Sequence, residues 1–422
     1  MALGGTAARR GGRLSAPAPA LAERLGELTR VRAQANQAFF EAQSDQIARC
    51  CHRLAERFAR GGRLVAFGAT PVARSDARHV AVEFVHPVIV GKRALPAIGI
   101  ASEGGDLLSQ AHAVCEPDDI AVAFGAEEKG PGAQSARDAL ALARELGCLT
   151  LAFGEGSGAE WEFAPPMDLD PFVRQELVET LYHLLWELVH VFFDHRGLLE
   201  GREQRQVHDP GASSFLYPFL SEAQTELEPV VADVRASVLL KAEEIGALRS
   251  QTLGDNSDEL SAAAAALRTS FDAGGRLLAF GNGGSATDAM DVAADFREPL
   301  PGGSGEPRRA LDLTEDTSII TAVANDVGVE AIFQRQVIAH GRAGDAAIAL
   351  STSGNSLNII DALAEARRRE MVTVAMVGYD GGQIAQRSLA DHVIVTRSQH
   401  IPRIQEAQAS AYHVLRELVE LC

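Results

Sequence analysis

Two short segments carry the side chains best suited to hold a small anion. "GNGGSATDA" (Gly281–Ala289) follows the apolar run "LLAF", and "STSGNSLNI" (Ser351–Ile359) follows "AAIAL". Glycines let a backbone approach a ligand closely, and hydroxyl and amide side chains beside the free N–H groups of a starting helix favour a phosphate. Neither segment has the lysine of a GxxxxGK[ST] loop and GxGxxG is absent, so a phosphorylated small molecule fits better than a nucleoside triphosphate. Either loop alone could be an ordinary capped turn. Two at equivalent strand ends of one domain point to a site.

The elements that must position these loops occur twice. "RLLAFGNGGSATDAMDVAADF" (Arg276–Phe296) has a blurred copy, "RLVAFGATPVARSDARHVAVEF" (Arg63–Phe84). "DDIAVAF" (Asp118–Phe124) matches "GDAAIAL" (Gly344–Leu350), and "RQELVETLYHLLWELV" (Arg174–Val189) matches "IQEAQASAYHVLRELV" (Ile404–Val419). Short apolar strands alternating with helical patterns predict parallel sheets with crossover helices. The expected fold is α/β: two tandem doubly wound parallel sheets, each a three-layer αβα sandwich with an N-terminal helical extension. Those extensions are Leu21–Arg60 and Leu220–Ala273, the second broken near Leu253–Leu260, where Asp255, Asn256 and Ser257 can end one helix and cap the next. The expected division is a disordered tail at 1–20, a degenerate first domain at 21–196, a polar Gly- and Pro-containing linker at 197–219 and a second domain at 220–422. Ligands of such sheets sit beyond the carboxyl ends of the strands.

The two copies differ where chemistry is expected. The first has "GATPVARS" (Gly68–Ser75) and "GAEEKGPGAQ" (Gly125–Gln134) in place of the two loops, and Glu127 and Glu128 would repel a phosphate. It carries His79 and Glu83 where the second has Asp291 and Asp295. Taken alone, His79 and Glu83 are an ordinary i, i+4 pair for an exposed helix face, and His183 an ordinary histidine at a core edge.

Composition narrows the partners. A chain of 422 residues with 46% hydrophobic content is long enough for two or three domains. A net charge of −18 argues against a nucleic-acid groove. No apolar run approaches the roughly 18 residues of a membrane span, and the first residues do not read as a secretory signal. The five cysteines form no CxxC pair, so a reduced, cytoplasmic protein is expected.

"GNGGSATDAM", "VANDVG" (Val323–Gly328), "STSGNS" and "RIQEAQASAYH" (Arg403–His413) resemble, in order, the sugar isomerase (SIS) domain of the phosphoheptose isomerase group. The resemblance covers nearly all of the second half, and the first half resembles the same domain more remotely. It implies that Ser285, Ser351, Thr352, Ser353 and Ser356 cradle the phosphate of an open-chain sugar, with Asn282 at its edge and Asp316 contributing. Family enzymes place a His and a Glu four residues apart on the first helix and a Gln and a His eight apart on the last. These hold a divalent metal, zinc or another, and move the proton between two sugar carbons.

By that resemblance the first copy supplies His79, Glu83, Gln175 and His183, and the second supplies Asp291, Asp295, Gln405 and His413. Two arrangements stay open. In one, the second copy binds phosphate while the first contributes its His and Glu residues to a shared site. In the other, the second copy works alone with Asp295 and His413. The implied activity is aldose–ketose isomerisation of a sugar phosphate such as sedoheptulose 7-phosphate, a carboxylate (Asp295 or Glu83) removing the proton and a histidine (His413 or His183) returning it. The alternative is a non-catalytic sensor of sugar phosphates or a partner-binding protein. A homo-oligomer, a dimer of fused pairs, is expected, with no nucleic-acid or membrane contact.

Overall fold

In the computed structural model the described residues are 18–89, 92–101, 105–195, 198–199, 226–300, 303 and 305–422. The expected linker and tail fall almost wholly outside them. The first helix starts at Ala18, three residues inside the stretch assigned to the tail.

The first copy runs α1 (Ala18–Ala59), β1 (Leu64–Phe67), α2 (Pro71–Val85), β2 (Ala97–Ile100), α3 (Leu107–Val114), β3 (Ile120–Ala123), α4 (Pro131–Glu145), β4 (Leu149–Ala152), β5 (Trp161–Glu162) and α5 (Pro171–Asp194). Its sheet has the order β2-β1-β3-β4-β5, with every pair parallel.

The second copy begins with α6 (Leu227–Asp255) and α7 (Ser257–Asp272), split at Asn256 as the turn residues require. There follow β6 (Leu277–Phe280), α8 (Gly284–Arg297), β7 (Ala310–Asp312), α9 (Thr317–Asp326) and α10 (Ile332–His340). The chain closes with β8 (Ala346–Ser351), α11 (Leu357–Arg368), β9 (Val372–Gly378), α12 (Gly382–Gln386), β10 (His392–Thr396) and α13 (Ile401–Leu421). The order β10-β9-β8-β6-β7 repeats the first sheet element for element, again with all pairs parallel.

Strands β1, β3, β4, β6 and β8 are buried along their whole length, as sheets covered by helices on both faces require. In each copy the chain leaves the first strand toward one edge and then returns to build the other. The crevice therefore lies between β1 and β3 in one copy and between β6 and β8 in the other.

The copies face each other through α2 against α8 and α5 against α13. The Ser75 hydroxyl donates to the Thr287 carbonyl across that seam at 3.0 Å. The extension helices lock the arrangement: the Asn36 side chain donates to the Ala242 carbonyl at 2.7 Å. The buried Arg249 guanidinium donates to Asn36, to the Glu176 carbonyl and to the Thr180 hydroxyl at 2.9, 3.0 and 2.8 Å. No helix among the described residues is long and apolar enough to cross a membrane. The five cysteines are unpaired.

Candidate functional site

The second copy's two glycine- and serine-containing loops leave neighbouring strands and are tied together. Asn282 and Asn358 exchange reciprocal side-chain hydrogen bonds of 3.0 and 2.8 Å, joining the turn after β6 to the first residues of α11. The Ser351 hydroxyl accepts the Gly354 N–H at 3.2 Å, and the Ser353 hydroxyl accepts the Asn355 N–H at 3.2 Å. Gly354 has φ 62°, and a Cβ there would fall 2.2 Å from the Gly381 carbonyl oxygen, so only glycine allows this turn. Ser356 is the N-cap of α11 without engaging its side chain in the cap, and Thr352 and Ser353 are half-exposed. Ser285 is buried in the first turn of α8. Asp316 lies one strand over, exposed, and caps α9 through the Ile319 N–H at 3.0 Å.

Beneath the first of these loops stands a histidine pair from the other copy. His79 on α2 and His183 on α5 place their Nε2 atoms 3.3 Å apart, and both rings are almost wholly buried. The exposed helix-face reading of His79 and Glu83 is thereby corrected: 2% and 3% of their surfaces are accessible, because α2 is clamped against the second copy. Nor is His183 an idle core-edge residue. Its Nδ1 faces the Glu406 carboxylate of the second copy at 2.9 Å, while the His79 Nδ1 faces the Tyr182 hydroxyl at 3.0 Å. With His183 donating through Nδ1, its Nε2 is left as an acceptor pointing at the His79 Nε2. Either one proton is shared between the rings or both lone pairs converge on a cation.

Glu179, one turn before His183, completes the cluster: one oxygen of Glu179 and one nitrogen of each histidine lie within 4.8 Å of one another. Unpartnered buried atoms surround them, namely one oxygen each of Glu179, Glu83 and Gln405. Burial pushes the His79 imidazole well below its ordinary value, with His183 adding to the effect. Burial likewise raises Glu83, and raises Glu179 well above the carboxylate range, helped by Asp288 and Glu406. Two imidazoles together with carboxyl and amide oxygens left without hydrogen bonds are donors of the kind a zinc-like cation takes.

The structure regroups the Gln residues expected on the last helices. Eight residues span about 12 Å along a helix, so the Gln and His of one helix stand more than two turns apart. Gln175 is accordingly absent from the His79–His183 cluster and instead lines a cavity beside Asp295. Gln405 of the second copy takes its place, its amide nitrogen 3.5 Å from the His79 Nε2. Gly284 shows how close the copies come: a Cβ there would stand 1.9 Å from the Gln405 Nε2 and 2.9 Å from the His79 Nε2. The glycine-rich loop of one copy thus rests on the histidines of the other.

The pseudo-equivalent cluster is built around His413. Its Nδ1 faces Glu176 of the first copy at 2.9 Å, its Nε2 lies 3.6 Å from Asp295, and its ring stacks on Phe172 at 4.5 Å between centroids. Burial pushes Asp295 up to about 6, against the pull of His413 and Arg416. Glu176 would also rise on burial, but Arg32 at 2.9 Å and His413 hold it at about 2. Asp291 does not join this group. Burial, with the charges of Asp76, Asp295 and Asp288 adding to it, pushes its carboxyl well up.

Sequence reasoning missed Glu179, Glu176 and Glu406. The signal was present: "QE" stands at the same place in both closing helices, and in each case the Glu reaches the other copy's histidine.

Tandem doubly wound sheets with a hydroxyl-rich crevice define a class of small-ligand α/β proteins, and comparison with known proteins narrows it. Residues 242–378 match the family model of the SIS domain. The chain is 41% identical over 175 residues to a phosphoheptose isomerase of Rhodospirillum rubrum, covering 40% of this chain and 88% of that one. It is 44% identical over 161 residues to a phosphoheptose isomerase of Aquifex aeolicus, covering 36% and 79%.

Among solved structures, the C-terminal domain of a glucosamine-fructose-6-phosphate aminotransferase from Francisella tularensis matches over 98% of this chain and 97% of its own, with a TM-score of 0.59 at 9% identity. A tagatose-6-phosphate ketose/aldose isomerase from Escherichia coli matches over 97% and 95%, with a TM-score of 0.55 at 16% identity. At those identities the likeness is one of fold, and it extends across both copies. The chain belongs to the SIS-domain family through its second copy, and its first copy shares the fold.

Proposed function

We propose that the protein is an aldose–ketose isomerase of a phosphorylated sugar, sedoheptulose 7-phosphate being the first candidate, with one site shared by the two copies. The observation that carries this reading is the contact of the Gly284 turn with His79 and Gln405. It brings the phosphate-binding crevice of one sheet against the titratable cluster of the other.

In this reading Ser351, Thr352, Ser353 and Ser356 hold the phosphate with the free N–H groups at the start of α11, and Asn282 borders the sugar. Ser285 supports the turn from the first residues of α8, and Asp316 contributes through the fold of the neighbouring loop. His79, His183 and Glu179, with Gln405 alongside, would hold a divalent cation, which when bound supplies polarisation of the substrate carbonyl. Glu83, whose buried carboxyl is raised and has a free oxygen, takes the proton from the carbon next to the carbonyl. Glu83 itself carries that proton to the neighbouring carbon, while His183, its ring held in one orientation by Glu406, would keep its Nε2 for the cation. Burial beneath the loop keeps water from the enediolate.

Asp295 and His413 are assigned to the second, pseudo-equivalent cluster, which lacks serine loops on its side. That cluster takes no step of the reaction in this reading. Monitoring conversion of sedoheptulose 7-phosphate by NMR tests the reading. Turnover is expected from the intact chain, with KM raised at least about tenfold in Ser353→Ala by loss of a phosphate contact. Binding without turnover would support the non-catalytic sensor instead.

A further inference from the structure

The first copy has its own crevice between β1 and β3, and it is not empty of design. A cavity of about 370 Å³ opens there, against the Ala294–Pro299 segment of the second copy. That volume lies within the range of small-ligand sites. It occupies the position in the first sheet that the serine loops occupy in the second, yet its chemistry is inverted.

Five carboxylates line it: Asp76, Glu127, Glu128, Asp295 and Glu298. The single basic lining residue, Arg174, is already paired with Glu127 at 3.3 Å. Asp295 is 8% exposed, and its Oδ2 makes no hydrogen bond, the His413 Nε2 standing 3.6 Å away. The Glu127 Oε2 is likewise buried without a partner. The rest of the wall is apolar, with the rings of Phe124, Phe153 and Phe172 prominent. Burial raises Asp76, Glu127 and Glu128, with neighbouring carboxylates adding to it at Asp76 and Glu128 and Arg174 opposing it at the two glutamates, so the cavity holds acids with little countercharge of its own.

We infer that this cavity is a second ligand site, for a small organic cation carrying a protonated amine on an apolar or ring-shaped body. An ammonium group offers three donors to the carboxylates lining the cavity, and a cation is attracted to aromatic faces. A phosphorylated ligand is excluded by the same carboxylates. The site is independent of the phosphosugar reading: it lies at the other sheet's crevice and uses none of the serine loops.

Isothermal titration of the full chain with phenethylamine, phenethyl alcohol and phenylpropanoate tests the inference. The amine is expected to bind at least about tenfold more tightly than the alcohol, a difference of about 1.4 kcal/mol, and the anion not at all. Asp295→Asn should weaken the amine about tenfold and leave the alcohol unchanged. Should that variant unfold, Glu128→Lys on the exposed rim should weaken the amine in the same sense. Ser353→Ala should leave amine affinity untouched. Equal binding of amine and alcohol overturns the inference, as does an absence of heat with the amine. So does indifference of the amine to both charge variants, or a loss of amine affinity in Ser353→Ala.

Discussion

Glu406 decides which nitrogen of His183 carries its proton. Buried, it would favour the neutral acid, but Arg403 and His183 hold it at about 2, so it is an anion facing the ring. Replacing it by Gln removes that anion and frees the imidazole to turn. Glu406→Gln is expected to lower kcat about 10- to 100-fold and to weaken bound metal in parallel, with KM little changed. Steady-state kinetics and metal analysis of the purified variant check this.

Asp295 gives a prediction of opposite sign. Its folded-state value of about 6 stands above the ordinary 3.8, so the folded protein holds the proton more tightly than the unfolded chain. The resulting stability is present below about pH 4 and is lost as pH rises through about 6. Asp295→Asn should therefore add up to about 3 kcal/mol at about pH 8 and almost nothing at about pH 4. Urea unfolding at the two pH values measures the difference.

At the scale of elements, the turn into α8 is where the copies touch most closely. Gly283, at φ 59°, sets the direction of the helix, and Gly284 leaves room for Gln405 and His79. Gly284→Ala keeps the helix start but drives a methyl into the Gln405 amide. Activity is expected to fall at least about a hundredfold, since displacements of about 1 Å have that effect, while the melting temperature moves little. Circular dichroism melts with turnover assays separate the two.

The strands and helices were legible in the sequence. Buried runs such as "LLAF" and "AAIAL" stand between helical patterns, and Asn256 divides α6 from α7 where turn residues cluster. The crevice loops were legible for the same local reasons. What local patterns could not convey was the crossing of the closing helices. Gln175 and His183 lie on one helix, and only the packing of α5 against α13 sends Gln405 and Glu406, rather than Gln175, to the first copy's histidines. Glu179 escaped notice because a glutamate in a helix is commonplace until its neighbours in space are known.

For the molecule as a whole, the duplication builds a pseudo-twofold pair within one chain and then treats its two interface sites differently. One side keeps serine loops, histidines and free donor atoms. The other keeps a histidine fastened between Glu176 and Asp295 beside an acidic cavity. The relative positions of the copies are fixed by buried polar ties such as those of Arg249 to Asn36 and Arg403 to Glu187, which only the folded pair can satisfy. That asymmetry can be read from two histidines. Turnover of sedoheptulose 7-phosphate should fall at least about a hundredfold in His183→Ala and stay within about tenfold of the parent in His413→Ala, both compared at equal folded fraction. Retained activity in His183→Ala together with loss in His413→Ala would contradict a catalytic centre shared through the first copy.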